Sequence, residues 1–176
     1  IGGGIALAAW LVGFVLLFVT KFLRNSPWGL VSVFGFTGAM GLAIAPTIDM
    51  YLHAFANGPA LVASSAGLTA AIFLSLSAYV VISKKDFSFL GGFLFVGLLV
   101  GVIASIAFLF FPNHGAQLGL SAMFVLIFSG YILYDTSRII HGGETSYISA
   151  TVDLYLDILN LFLNLLRILA AIAGDD

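Results

Sequence analysis

The chain has 176 residues, 61% of them hydrophobic and 8% charged, with a formal net charge of −2 and a mean hydropathy of +1.17. Soluble domains carry about 25% charged residues, so six Lys/Arg and eight Asp/Glu cannot coat a globule of 18.6 kDa. A water-soluble enzyme, a disordered tail and a nucleic-acid binder are excluded, and the absence of cysteine removes disulfides and thiolate metal sites.

Six apolar stretches approach or exceed the ~20 residues that a spanning helix needs. Residues 1–20 are closed by Lys21 and Arg24, and residues 28–45 are ended by Pro46. Residues 61–83 are closed by Lys84, Lys85 and Asp86, and residues 87–111 are ended by Pro112. Residues 116–140 and 151–173 complete the set, the last followed by Gly174, Asp175 and Asp176. The apolar runs are continuous rather than alternating, which selects helices over a barrel. The predicted fold is all-α: a polytopic transmembrane helix bundle forming one domain over residues 1–176.

Charge placement orients the spans. Lys21, Arg24, Lys84, Lys85 and Arg138 fall at alternate ends, while the connections 47–60 and 112–115 contain no Lys or Arg. Basic residues mark the cytoplasmic side, so residue 1 is expected outside and a further helix is expected upstream of Ile1. Small residues recur every four positions as Ala63, Gly67, Ala71 and Ser75, and as Gly97, Gly101 and Ser105. Such stripes let helix backbones approach closely and predict packing faces.

The last span holds residues that lipid does not tolerate. Asp153, Asp157, Asn160, Asn164 and Arg167 follow one another by four, three, four and three positions. At ~100° per residue they share an arc of roughly 80°. A mid-membrane Asp or Arg costs about 2.5–3.5 kcal/mol, and a Leu returns about 0.3–0.6. Eight leucines do not offset three charges, so the stripe must face the bundle interior or water, and this helix is expected to be central.

A second acid, Asp135, lies near the cytoplasmic end of the fifth span, and a short loop joins that span to the sixth. Asp157 lies about two turns into the sixth span from the same side, so the two carboxyls are expected to meet. Two facing carboxylates cannot both ionise cheaply, so they share a proton and titrate as a unit. Such a pair is a candidate pH sensor and ion gate, and a candidate oxygen-ligand site for calcium. The alternative is a structural ion pair with Arg138 or Arg167. Asn160 and Asn164 are read as interhelical glue. Asp86 is expected to cap the fourth span, and His53, His114 and Asp49 to be solvated near the outer connections. His141-Gly142-Gly143-Glu144 lacks the second His of a zinc motif, and Gly2-Gly3-Gly4 opens a membrane helix rather than a phosphate loop.

Ser129-Gly130-Tyr131-Ile132-Leu133-Tyr134-Asp135, Ile139-Ile140-His141-Gly142-Gly143-Glu144-Thr145 and the stretch from Leu154 to Phe162 resemble the Bax inhibitor-1 family, as does the segment from Lys84 to Gly92. The loop most resembles the bacterial branch that includes the modulator of the membrane protease FtsH. The resemblance implies seven helices, the first lying upstream of Ile1, and a bacterial inner-membrane location. It further implies a pH-dependent calcium leak governed by a di-aspartyl sensor, whose positions Asp135 and Asp157 match. Lys21 stands near the family's basic latch residue, and residues 1–20 lack the acid that some members carry in the corresponding helix. Neither catalysis nor a cofactor is expected: calcium would be the permeant or bound ion. The alternative is a non-transporting regulator bound to a membrane-bound ATP-dependent protease through the loop around residues 141–149 and the N-terminal segment. An intramembrane aspartyl protease fits poorly, because Asp157 follows Tyr155-Leu156 rather than a Gly-x-Gly stretch.

Overall fold

The computed structural model describes residues 3–174 as six helices joined by short turns. They are α1 (Gly3–Phe22), α2 (Pro27–Ala54), α3 (Gly58–Ser83), α4 (Gly91–Phe110), α5 (His114–Ile140) and α6 (Tyr147–Gly174). A 3-10 turn, Ser88–Leu90, leads into α4. Each helix is long and apolar enough to cross a membrane. The expected start of the first span at Ile1 and the acids Asp175 and Asp176 lie outside the described residues.

The polar-striped helix is the axis of the bundle. Helix α6 packs against α1, α2, α3 and α5, and no residue from Val152 to Leu166 is exposed. Its leucines enter three separate apolar clusters. Val152 and Leu159 join Val33, Phe36 and Met40 of α2, and Leu161 joins Leu94, Phe124, Phe128 and Ile132 of α4 and α5. Leu166 and Ala170 join Leu61 of α3. Burying a leucine-sized side chain contributes about 1.5–3 kcal/mol against water. Against lipid that driving force vanishes, and close packing and hydrogen bonds decide the contacts.

Most expected boundaries move by a turn or less, and the largest shift is at the end of α2. Helix α2 continues eight residues past Pro46, so the predicted outer connection shrinks to residues 55–57. Proline removes one backbone donor and clashes with the carbonyl four residues back. In a membrane helix those groups can be satisfied by neighbouring helices, and the apolar environment leaves no better alternative than a helix. His53 and Asp49, expected beside an outer loop, therefore lie on the last turns of α2, where His53 Nδ1 is 3.2 Å from Asp49 Oδ1. His114 likewise opens α5, whose cap is Asn113 accepting from the Ala116 N–H at 2.9 Å.

One small-residue stripe packs and the other does not. A Cβ on Gly101 would stand 2.5 Å from the Phe124 ring, and one on Gly97 would stand 3.2 Å from Ile127, so α4 lies close on α5. Ala63, Gly67, Ala71 and Ser75 instead face outward from α3, and nothing lies within 4 Å of a Cβ on Gly67. The buried face of α3 is two positions away, on the opposite side of the helix, at Leu61, Ser65 and Thr69. Ser65 and Thr69 satisfy their hydroxyls on their own helix, donating to Leu61 O and Ser65 O. Spacing alone shows that a face is smooth. It does not show which smooth face a neighbour occupies.

The end that carries Lys21, Arg24, Lys84, Lys85 and Arg138 is tied together by the loop after α5. His141 sets Nδ1 2.9 Å from Ser137 O and Nε2 2.9 Å from Lys84 O. Lys84 itself ends α3 in the left-handed conformation, φ 54°. Asp86 does not cap α4, whose N-cap is Leu90 without a side-chain hydrogen bond; it accepts instead from the Ser88 N–H and hydroxyl and from Ser137 Oγ, ahead of the 3-10 turn. The Ser88 hydrogen bonds hold its carboxyl below the ordinary carboxylate range.

A Cβ on Gly29 would collide with the Leu23 carbonyl oxygen at the α1–α2 corner. Gly29→Ala should therefore lower the melting point in detergent, with a cost of about 1–3 kcal/mol. Gly67→Ala, on the open face, should leave it unchanged or slightly higher.

Candidate functional site

The residues that sequence reasoning singled out on α5 and α6 converge on one cavity. It holds about 580 Å³, opens toward the basic end, and is lined by Asp135, Asp153, Asp157, Asn160, Lys21 and Arg138, with Glu144 and Ser149 at its rim. Helix α5 delivers Asp135 about one and a half turns after the close contact between Gly130 and Leu94 of α4 has fixed its rotation. Helix α6, antiparallel to it after a six-residue turn, delivers Asp157 to the same depth. Their exposures are 8% and 5%.

The two carboxyls lie within hydrogen-bonding reach of one another at the inner end of the cavity. No N–H or O–H of the described residues donates to Asp157 Oδ2, which is fully buried. A hydrogen between the two acids must therefore be a carboxyl's own. A bare carboxylate pair in a low-dielectric site would leave an uncompensated charge repulsion and a costly desolvation.

The ion-pair alternative fails at both arginines. Arg138 turns away from the pair toward the loop, its Nη2 3.9 Å from Glu144 Oε2 and 3.4 Å from Gly143 O, with the guanidinium over the Tyr134 ring at 5.4 Å. Arg167 lies toward the other end of α6 and donates to Ser121 Oγ at 3.2 Å. Lys21 does enter the cavity, but it meets Asp153 rather than either member of the pair. Its Nζ is 2.5 Å from Asp153 Oδ1 and 2.8 Å from Ser149 Oγ. Asp153, read in sequence only as part of the stripe, is thus the lysine's partner one turn nearer the basic end.

The asparagines are not glue between helices. Asn160 Nδ2 donates to Leu156 O and Asn164 Nδ2 to Asn160 O, both four residues back on α6 itself. In an apolar bundle the amide closes on the nearest carbonyl of its own helix. Asn160 still borders the cavity. Among the described residues no group of three or more His, Asp or Glu side chains is placed to hold one metal ion.

Glu144 and Ser149 were missed, though Ser149 precedes Asp153 by the same four-residue step that joins Asp153 to Asp157. The stripe starts a turn earlier than its charged members. Glu144 accepts from the Ser146 N–H at 3.1 Å.

A multi-pass membrane helix bundle wrapped round a buried acidic pair is the class these features define. The chain matches the family described as inhibitor of apoptosis-promoting Bax1 over residues 2–174. It is 50% identical over 167 residues to an uncharacterised protein of Pseudomonas aeruginosa, covering 94% of this chain and 75% of the relative. It is 49% identical over 162 residues to an uncharacterised membrane protein of Vibrio cholerae, covering 92% and 72%. It is 45% identical over 160 residues to the modulator of FtsH protease YccA of Escherichia coli K12, covering 91% and 72%. The chain belongs to the Bax inhibitor-1 family, and it is a multi-pass inner-membrane protein.

Burial pushes the Glu144 carboxyl up, but the Ser146 and Ser149 hydrogen bonds with the charges of Arg138 and Lys21 outweigh it, and its pKa lies below the ordinary 4.5. Its contribution to stability is then complete above pH 4.5 and disappears as the pH falls through the folded-state value. Melting between pH 6 and pH 3 should show a steeper loss for wild type than for Glu144→Gln.

Proposed function

We propose that the chain is a membrane-embedded modulator of an FtsH-type protease. The observation that carries this reading is its 45% identity, over 91% of its length, to a protein named for that role. The positive-inside rule puts the basic end in the cytoplasm. At that end the loop after α5 offers exposed His141, Gly142, Gly143 and Thr145 as a contact surface. Its shape is fixed by the His141 and Arg138 hydrogen bonds, so a partner meets a preformed surface and loses little entropy on ordering it. The lipid bilayer is the second partner, because six helices present apolar faces outward.

The cavity favours a second, compatible reading: a pH-sensitive calcium leak. Here the buried pair of Asp135 and Asp157 closes the inner end of a space open to the basic side. One proton between the acids draws α5 and α6 together. Its loss leaves two like charges, which separate the helices and attract a cation. Lys21 holds Asp153 above the pair, so the entrance has its own counter-charge.

Two measurements separate the readings. The solubilised protein should co-purify with the protease, and the double variant Asp135→Asn, Asp157→Asn should still do so; no co-purification of the folded wild type overturns the modulator reading. Calcium flux from liposomes should rise from pH 6 to pH 8 in wild type, and each single Asn variant should lose most of that dependence. Identical flat profiles in all three overturn the leak.

A further inference from the structure

The far half of the polar stripe serves neither reading. Arg167 leaves α6 seven residues before Gly174, which at a rise of ~1.5 Å per residue puts it roughly 10 Å below the helix end. Its Nη1 donates to Ser121 Oγ at 3.2 Å and to Asn164 Oδ1 at 3.5 Å, and both acceptors are neutral. Among the described residues no carboxylate stands within ion-pairing distance of it, and Nη2 and Nε meet no acceptor. A cation in apolar surroundings requires a counter-charge or water.

Two cavities meet at this guanidinium. One, about 270 Å³, lies at the end of the bundle opposite the basic residues and is lined by Tyr51, His114, Gln117 and Arg167 among apolar walls. The other, about 260 Å³, is a groove between α4, α5 and α6 that Asn160 and Asn164 border. Among the described residues neither is lined by a carboxylate, whereas the cavity at the basic end is lined by four: Asp135, Glu144, Asp153 and Asp157. The polar groups around Arg167 are hydrogen-bond donors or can act as donors. The start of α5 stands beside them with the positive end of its helix dipole. Chemistry and geometry therefore select an anion here, and a planar guanidinium takes two oxygens of a phosphate at once.

We infer that Arg167, with Tyr51, His114 and Gln117, forms a binding site for a phosphate-type oxyanion. The phosphate belongs either to a phospholipid headgroup or to a free inorganic ion. The apolar walls at Phe55, Leu118 and Ala171 suit an acyl chain.

The test uses the full chain purified in detergent and stripped of lipid. Short-chain phosphatidylglycerol and inorganic phosphate are titrated separately, with binding read from the melting temperature and from native mass spectrometry. The variants are Arg167→Gln and, as a control for charge alone, Lys85→Gln at the opposite end. Arg167→Gln should weaken binding of one probe or both at least tenfold, and Lys85→Gln should not. A response to phosphatidylglycerol alone assigns the lipid; saturation by inorganic phosphate assigns the free ion. Should Arg167→Gln fail to fold, the rim variant His114→Ala, Gln117→Ala must weaken binding at least threefold. Equal affinities in wild type and variant for both probes, or an equal loss in Lys85→Gln, overturn the site.

Discussion

A helix that carries Asp153, Asp157 and Arg167 along one arc cannot face hydrocarbon, and the rest of the bundle is arranged round that prohibition. Helix α6 is enclosed on all sides through its middle. The helices that pay nothing for lipid contact form the shell: α4 exposes Phe93, Phe95, Val96 and Ile103, and α1 exposes Leu7, Leu11, Phe14 and Phe18. Neither has a charged residue inside its apolar run. The order of the layers therefore follows from where the charges lie, because apolar area gains little by moving from lipid to protein.

Each charge on the arc is treated differently, and the differences run along the helix. Nearest the basic end, Asp153 has a lysine. One turn deeper, Asp157 has another acid instead of a cation. At the far end, Arg167 has only a hydroxyl and an amide. Lys21 is the only lysine or arginine on α1, and Asp153 holds it a turn above the pair. Arg138, one turn from Asp135 on the same helix, is engaged by the loop and by the Tyr134 ring. The acidic pair is left without a cation because the nearby cations have partners elsewhere. Among the described residues that arrangement leaves the pair without a salt bridge.

The spans, the central helix and the meeting of Asp135 with Asp157 were legible in sequence, because each follows from a strong energetic rule: hydrophobic length, the cost of buried charge, and the adjacency of helices joined by a short loop. What was not legible depended on choices between near-equal alternatives. Pro46 ends a helix in water but not in lipid. The α3 stripe at Ala63 and Gly67 is as smooth as the one on α4, yet only the latter has a neighbour. Arg138 can reach Asp135 by helix spacing or Glu144 by folding back over the turn, and the loop decides between them. Asn160 and Asn164 satisfy themselves on their own helix, an option that side-chain type alone does not rank.

The two proposed roles meet in one short piece of chain. Asp135 precedes His141 by six residues, about 9 Å along the helix, and Asp157 follows Tyr147 by ten. Between them the loop is anchored at three points: His141 to α3, Arg138 to Glu144 and Gly143, and Ser146 Oγ to Arg24 O at the α1–α2 corner. A change in spacing between α5 and α6 at the acids cannot be absorbed by a slack connection, because these anchors leave none. It must appear at the loop or at α3 and the α1–α2 corner. In the two proposed roles, a proton at the pair and a partner at the loop would act on the same helix spacing from opposite ends. By linkage, a partner that prefers one spacing changes the proton affinity of the pair by the same factor by which the proton changes partner affinity.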